Sequence, residues 1–189
     1  MALYASVGAN LTHYDLDVAA AALTRRDSVT LPANVQYAWP DASRQFLYVA
    51  SSDGGSGMGA PGATHHVTAF HIDPDSGALA PHGAAIALPT RPIHMATDIA
   101  SDYILVAFNN PSALRVYRIN ADGTPGAELA QPEPLDAGIF AHQVRATPDN
   151  RQVILVTRGH DSAGGKAEEP GALKVFDFHD GMLSHEESV

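Results

Sequence analysis

The feature that most constrains this chain is a segment that occurs three times. It reads Tyr37-Ala-Trp-Pro-Asp-Ala-Ser-Arg-Gln-Phe-Leu-Tyr-Val-Ala50, Met95-Ala-Thr-Asp-Ile-Ala-Ser-Asp-Tyr-Ile-Leu-Val-Ala-Phe108 and Val144-Arg-Ala-Thr-Pro-Asp-Asn-Arg-Gln-Val-Ile-Leu-Val-Thr157. Each copy is a short extended run, then a polar turn (PDASRQ, TDIASD, TPDNRQ), then a dense β-branched or aromatic run. Asp, Asn, Ser and Pro set such turns through side-chain hydrogen bonds and a fixed φ. The pattern predicts a tight hairpin whose second strand is buried on both faces.

A second segment type follows each copy and also opens the chain: Leu11-Thr-His-Tyr14-Asp-Leu16, Val67-Thr-Ala-Phe70-His-Ile72, Leu114-Arg-Val-Tyr117-Arg-Ile119 and Leu173-Lys-Val-Phe176-Asp-Phe178. Apolar and polar residues alternate in it, the period of a half-exposed strand. Its aromatics at 14, 70, 117 and 176 are spaced by 56, 47 and 59 residues. No sustained helical period occurs, although DVAAAAL after Leu16 has room for one helical turn. A unit of about 50 residues with four strands is a propeller blade. The expected fold is therefore all-β: four-stranded antiparallel blades at 34–89, 90–136 and 137–189, preceded by the outer strands of a first blade at 1–33. Propellers take four to eight blades, so the count predicts a partial ring whose open blade edges invite self-association.

Composition narrows the function classes. The 11 Lys and Arg against 21 Asp and Glu give a net charge of −10 with no basic cluster, which argues against nucleic acid and membrane surfaces as partners. The chain has no Cys, excluding a disulfide scaffold, a thiolate metal site and a catalytic thiol. No run approaches the roughly 20 apolar residues of a membrane helix. The opening MALYASVGANLTHYDL does not read as a signal peptide, so a cytoplasmic location is expected.

The repeats resemble the seven-bladed propeller lactonase family, which groups 6-phosphogluconolactonases with carboxymuconate-lactonizing enzymes. The matching pieces are PDASRQFLYVA (40–50), HIDPDSGAL (71–79), RPIHMATD (91–98), INADGTP (119–125) and AHQVRATPDNRQVILVT (141–157). The likeness runs from about residue 3 to the end and corresponds to the N-terminal half of a family member. It implies a lactonase-like hydrolase acting on a small anionic sugar-acid lactone, 6-phosphogluconolactone first, without metal or organic cofactor. Two alternatives stand beside it: a carboxymuconate cycloisomerase, and a non-catalytic propeller used for binding or scaffolding.

If the polar turns lie at one end of the blades, the opposite rim gathers Gln36, Arg91, His94, Asn109, Asn110, His142, Arg158 and His160. His142 corresponds to the family's His in the Ala-His segment. An imidazole there can take the proton of water attacking a lactone carbonyl. Arg91 and Arg158 can hold a carboxylate or phosphate by forked hydrogen bonds, with His94 as a further substrate contact. Arg145, three residues into its strand, is expected to point toward the axis instead. Tyr37 and Trp39 are read as blade-packing residues.

Other motifs fall away. Gly57-Met-Gly-Ala-Pro-Gly62 fits a dinucleotide-binding pattern in letters only, because no helix follows. The loop around it, 54–64, is read as a bridge between strands and a cover over the rim. His65 and His71 lie about 20 Å apart on a strand, at about 3.3 Å per residue, too far to share a metal. Loop 159–171 reads as a solvated, mobile loop, and no G-x-S-x-G elbow supports a serine esterase.

Overall fold

The computed structural model describes residues 1–56, 59–165 and 167–189. Gly57 and Met58 of the glycine-rich motif, and Lys166 of the 159–171 loop, lie outside them. Seventeen strands and no helix make up the described residues. The first sheet holds β1 (Ala2–Val7), β2 (Asn10–Asp17) and β3 (Ala22–Thr30). The second orders β4 (Asn34–Pro40), β5 (Phe46–Ser52), β6 (His65–Ile72) and β7 (Leu79–Ala87). The third orders β8 (Pro92–Thr97), β9 (Tyr103–Phe108), β10 (Ala113–Ile119) and β11 (Pro125–Glu128). In the last, β12 (Ala141–Ala146), β13 (Gln152–Thr157), β16 (Leu173–His179) and β17 (Met182–Ser188) pair in that order. All pairings are antiparallel, as a propeller blade requires.

The hairpin turns form as their side chains dictate. Asp41 N–H donates to Phe46 O (3.0 Å), Asp98 N–H to Tyr103 O (3.0 Å) and Thr147 N–H to Gln152 O (2.8 Å), which makes the three turns equivalent. The fourth turn residue is left-handed each time: Arg44, Ser101 and Asn150 have φ of 59°, 62° and 58°. Two of these reach back to the preceding blade. Ser101 Oγ accepts from Ala42 N–H (2.8 Å), and Asn150 Oδ1 accepts from Ile99 N–H (2.9 Å).

The outer hairpins repeat the device. Tyr4 Oη donates to Gly77 O (2.7 Å) and Tyr48 Oη to Gly123 O (2.9 Å), tying each sheet to the next. Gly123 has φ +83°, and a Cβ there would lie 2.4 Å from the Phe46 ring, so only glycine permits this approach.

Three apolar layers fill the spaces between consecutive sheets. Leu11, Leu31, Leu47, Val49 and Phe70 form the first, and Tyr48, Val67, Met95, Ile104, Val106 and Phe108 form the second. Leu105, Val116, Val144, Val153, Leu155 and Phe176 form the third. Every residue of β9 is buried, the two-faced burial its dense apolar run predicts. Each large side chain buried this way contributes about 1.5–3 kcal/mol.

Two local expectations change. Val18–Ala21 is a tight turn joining β2 to β3, with Asp17 Oδ1 accepting from Ala20 N–H (3.0 Å) and Ala21 at φ 48°, so no helical turn forms in DVAAAAL. The 159–171 loop carries a short ladder, β14 (Gly159–His160) against β15 (Glu169–Pro170).

Candidate functional site on the axial strands

The strands β4, β8 and β12 begin their sheets and lie side by side, with β8 in the middle. Each carries one register shift near its start: between Val35 and Tyr37, between Pro92 and His94, and between Ala141 and Gln143. The residues inside these shifts are Gln36, Ile93 and His142. A bulge frees its extra residue from the ladder and re-aims its side chain. His142 is thus exposed at the head of β12 rather than alternating into the core.

The same alignment sorts the following positions into layers. Tyr37, His94 and Gln143 are equivalent, and so are Trp39, Ala96 and Arg145. In the first layer the His94 ring lies 4.1 Å from the Tyr37 ring, centroid to centroid, and 6.5 Å from that of Trp39. Tyr37 and Trp39 stack nearly parallel, at 6.4 Å and 17°. In the second layer the Arg145 guanidinium sits 4.2 Å over the Trp39 ring. Because β8 stands between β4 and β12, this contact crosses β8 where Ala96 offers only a methyl group.

His94 departs from its expected place on the rim. It is only 4% exposed, covered by this layer rather than presented to solvent. Its Nδ1 accepts a long hydrogen bond from Val144 N–H (3.4 Å), which puts the ring proton on Nε2, and Nε2 has no partner among the described residues. Burial first, then the nearby Arg145 and His142 charges, push its pKa down to about 4. His94 is therefore a neutral imidazole at neutral pH, and His142 and Arg145 are close enough to it for their charges to be felt.

The remaining predicted residues sit elsewhere. Arg91 lines a separate small pocket with Thr90, Asn109, Gly55 and residues 59–61, and none of His94, His142 or Arg145 is in its wall. Its Nε is buried without a hydrogen-bond partner among the described residues. Arg158 is exposed and lies 5.0 Å over the Phe140 ring. His160 faces Glu169 (Nε2 to Oε2, 3.1 Å) across the β14–β15 ladder. Asn109 Nδ2 donates to Ala141 O (3.4 Å), and Ser112 Oγ accepts from Ala141 N–H (2.9 Å). Those two bonds anchor the chain just before His142. Ser52 Oγ lies 2.8 Å from His65 Nδ1, but the serine is fully buried and holds Gly54 N–H (2.9 Å), so the pair secures a loop. No group of three metal-ligating side chains occurs among the described residues.

Sequence reasoning placed Tyr37 and Trp39 in the blade packing, and they do contact the second apolar layer. It missed their axial faces. Superposing the three repeats on their turns would have put an indole, a methyl and a guanidinium at one position.

The chain superposes on solved structures over nearly its whole length. A Lactobacillus plantarum protein matches with a TM-score of 0.72 at 14% identity, over 95% of this chain and 49% of that one. A periplasmic gluconolactonase of Pseudomonas aeruginosa matches at 0.62 and 17%, over 94% of this chain and 63% of the other. A Bacteroides fragilis protein provisionally described as a 6-phosphogluconolactonase matches at 0.60 and 14%, over 97% and 64%. The chain thus spans between about half and two thirds of these relatives, and at such identities they report the fold alone. The family described as lactonase, seven-bladed β-propeller, matches over residues 2–163, most of the chain. With its four radial antiparallel sheets, this chain belongs to the seven-bladed β-propeller lactonase family.

Proposed function

We propose that the protein hydrolyses a sugar-acid lactone, with 6-phosphogluconolactone the first substrate to try. The observation that carries this reading is the exposed His142 in its bulge, beside a neutral His94 and the Arg145 guanidinium. A water held by His142 attacks the lactone carbonyl carbon while the imidazole takes its proton. The ring C–O bond then breaks, and the imidazolium returns the proton to the departing alkoxide, leaving a hydroxy acid. Arg145 attracts the anionic group and sets the carbonyl beside His142. The family match and the lactonase names of two structural neighbours support the reaction class. A cytoplasmic location goes with this reading, because a phosphorylated substrate does not cross membranes unaided.

Acid release from 6-phosphogluconolactone, measured above the spontaneous rate, tests the reaction. His142→Ala is expected to lower turnover by about 10²-fold or more, the usual size of a general-base contribution. Unchanged turnover in that variant would remove His142 from the mechanism. Lactonisation of a carboxymuconate in place of hydrolysis would move the assignment to a cycloisomerase. No turnover of either substrate would leave a propeller that binds without catalysis.

A further inference from the structure

We propose that Trp39 is a positioning residue for the substrate's oxyanion: it holds the Arg145 guanidinium flat, leaving the N–H fork free for a carboxylate or phosphate. This rests on the lactone reading above and deepens it by naming the subsite.

Among the described residues three cations pair with carboxylates, Arg26 with Asp15 (2.6 Å), Arg115 with Glu128 (2.7 Å) and Lys174 with Asp136 (2.7 Å). Arg145 is among those that do not, and of the three guanidiniums set over aromatic rings it lies nearest its ring, at 4.2 Å against 5.0 Å for Arg158 and 5.6 Å for Arg118. Among the described residues neither a carboxylate nor any other acceptor meets its guanidinium, which stacks on the Trp39 ring at 4.2 Å. A guanidinium stacked on an aromatic face keeps its in-plane donors available, and the stack holds the long side chain in one pose before ligand arrives. Pre-organisation of this kind lowers the entropy lost on binding.

The surroundings point to the same ligand. Tyr37 lies nearly parallel to Trp39, 6.4 Å away, and adds aromatic surface to the same site. Beneath it the His94 Nε2–H is a buried donor with no acceptor among the described residues. The small Ala96 between Trp39 and Arg145 keeps the span open, since any larger side chain at that equivalent position would stand in the path of the stack.

Trp39 is the only tryptophan in the chain, so its emission reports on this subsite alone. Titration of the 189-residue chain with 6-phosphogluconate is expected to change the emission saturably, with gluconate and inorganic phosphate as separate arms. Tighter binding of 6-phosphogluconate than of gluconate assigns the oxyanion to phosphate, and equal binding assigns it to the carboxylate. Arg145→Met is expected to weaken binding by about tenfold or more, and Arg145→Lys, which keeps charge but loses the planar fork, by less. For Trp39 variants the readout is the His94 ring proton resonance, whose pKa rises when an anion offsets the Arg145 charge. Trp39→Phe retains affinity within about threefold, whereas Trp39→Leu loses about tenfold with Arg145 still present. Circular dichroism confirms that each variant is folded, and Trp39→Phe controls for packing. Wild-type affinity in Trp39→Leu or in Arg145→Met overturns the inference, as does an absence of any response to the three probes. Lactone hydrolysis with an unchanged KM in Arg145→Met also overturns it while sparing the reaction. Binding that needs both residues, without lactone turnover, keeps the subsite and removes the reaction.

Discussion

Asp98 and His94 sit four residues apart on one hairpin, and both are almost fully buried, at 2% and 4% exposure. They are treated very differently. The Asp98 carboxylate accepts four hydrogen bonds: from Asp102 N–H and Tyr103 N–H at Oδ1 (both 2.8 Å), and from Ala100 N–H (3.2 Å) and Asn150 Nδ2 (2.8 Å) at Oδ2. His94 has one long bond and, among the described residues, an unpartnered nitrogen. At the turn end of the blades buried polar atoms close the structure and link it to the next blade. Further along the same strand, at the axial layer, polar atoms are held ready and unspent. Buried groups that lack partners cost stability, and His94 Nε2 is one of several such atoms among the described residues.

Variants can break this contrast in order of effect. Asp98→Ala strands four donors at once and is expected to lose about 3–5 kcal/mol, read by chemical denaturation. Asn150→Ala removes the acceptor of Ile99 N–H and one donor to Asp98, and puts a Cβ-bearing residue without a polar anchor at φ 58°. Its expected loss is about 2 kcal/mol in the same measurement. His94→Leu should change stability at about pH 7.5 by less than about 1 kcal/mol, because it removes an orphaned donor along with one weak bond.

The sharper test of His94 is its pH dependence. Its pKa is held at about 4 in the fold against 6.5 for an unperturbed histidine, so the unfolded chain takes up a proton first. Stability is full above pH 6.5 and falls as the pH drops from 6.5 toward 4, by at most about 1.4 kcal/mol per unit, and His94→Leu should flatten that slope. A slope that persists in the variant would assign it to another group. Smallest of all, Arg145→Met should shift the melting temperature little, since an exposed cation–π contact is worth about 0.5–1 kcal/mol. A large shift would make the stack a structural brace.

The blades were legible before any coordinates because their signals are local. Turn residues, the two-residue period and the repeat of about 50 residues all act within one hairpin or one blade. The inner-strand bulges were not legible, since a bulge shows only against its partner strand. Hence His142 was a candidate through its place on the rim and its likeness to the family's His, while His94 was expected on the rim and is covered instead.

By itself, then, the sequence determined an all-β chain of radial sheets with Asp- and Asn-based turns at one end. It also determined which strands would be buried on both faces. Only the tertiary structure decided that Trp39 and Arg145, 106 positions apart, would meet across Ala96, and that His94 would end beneath them. Hairpins form from neighbouring residues, whereas the axial layer exists only after three sheets have packed and brought equivalent positions to one side.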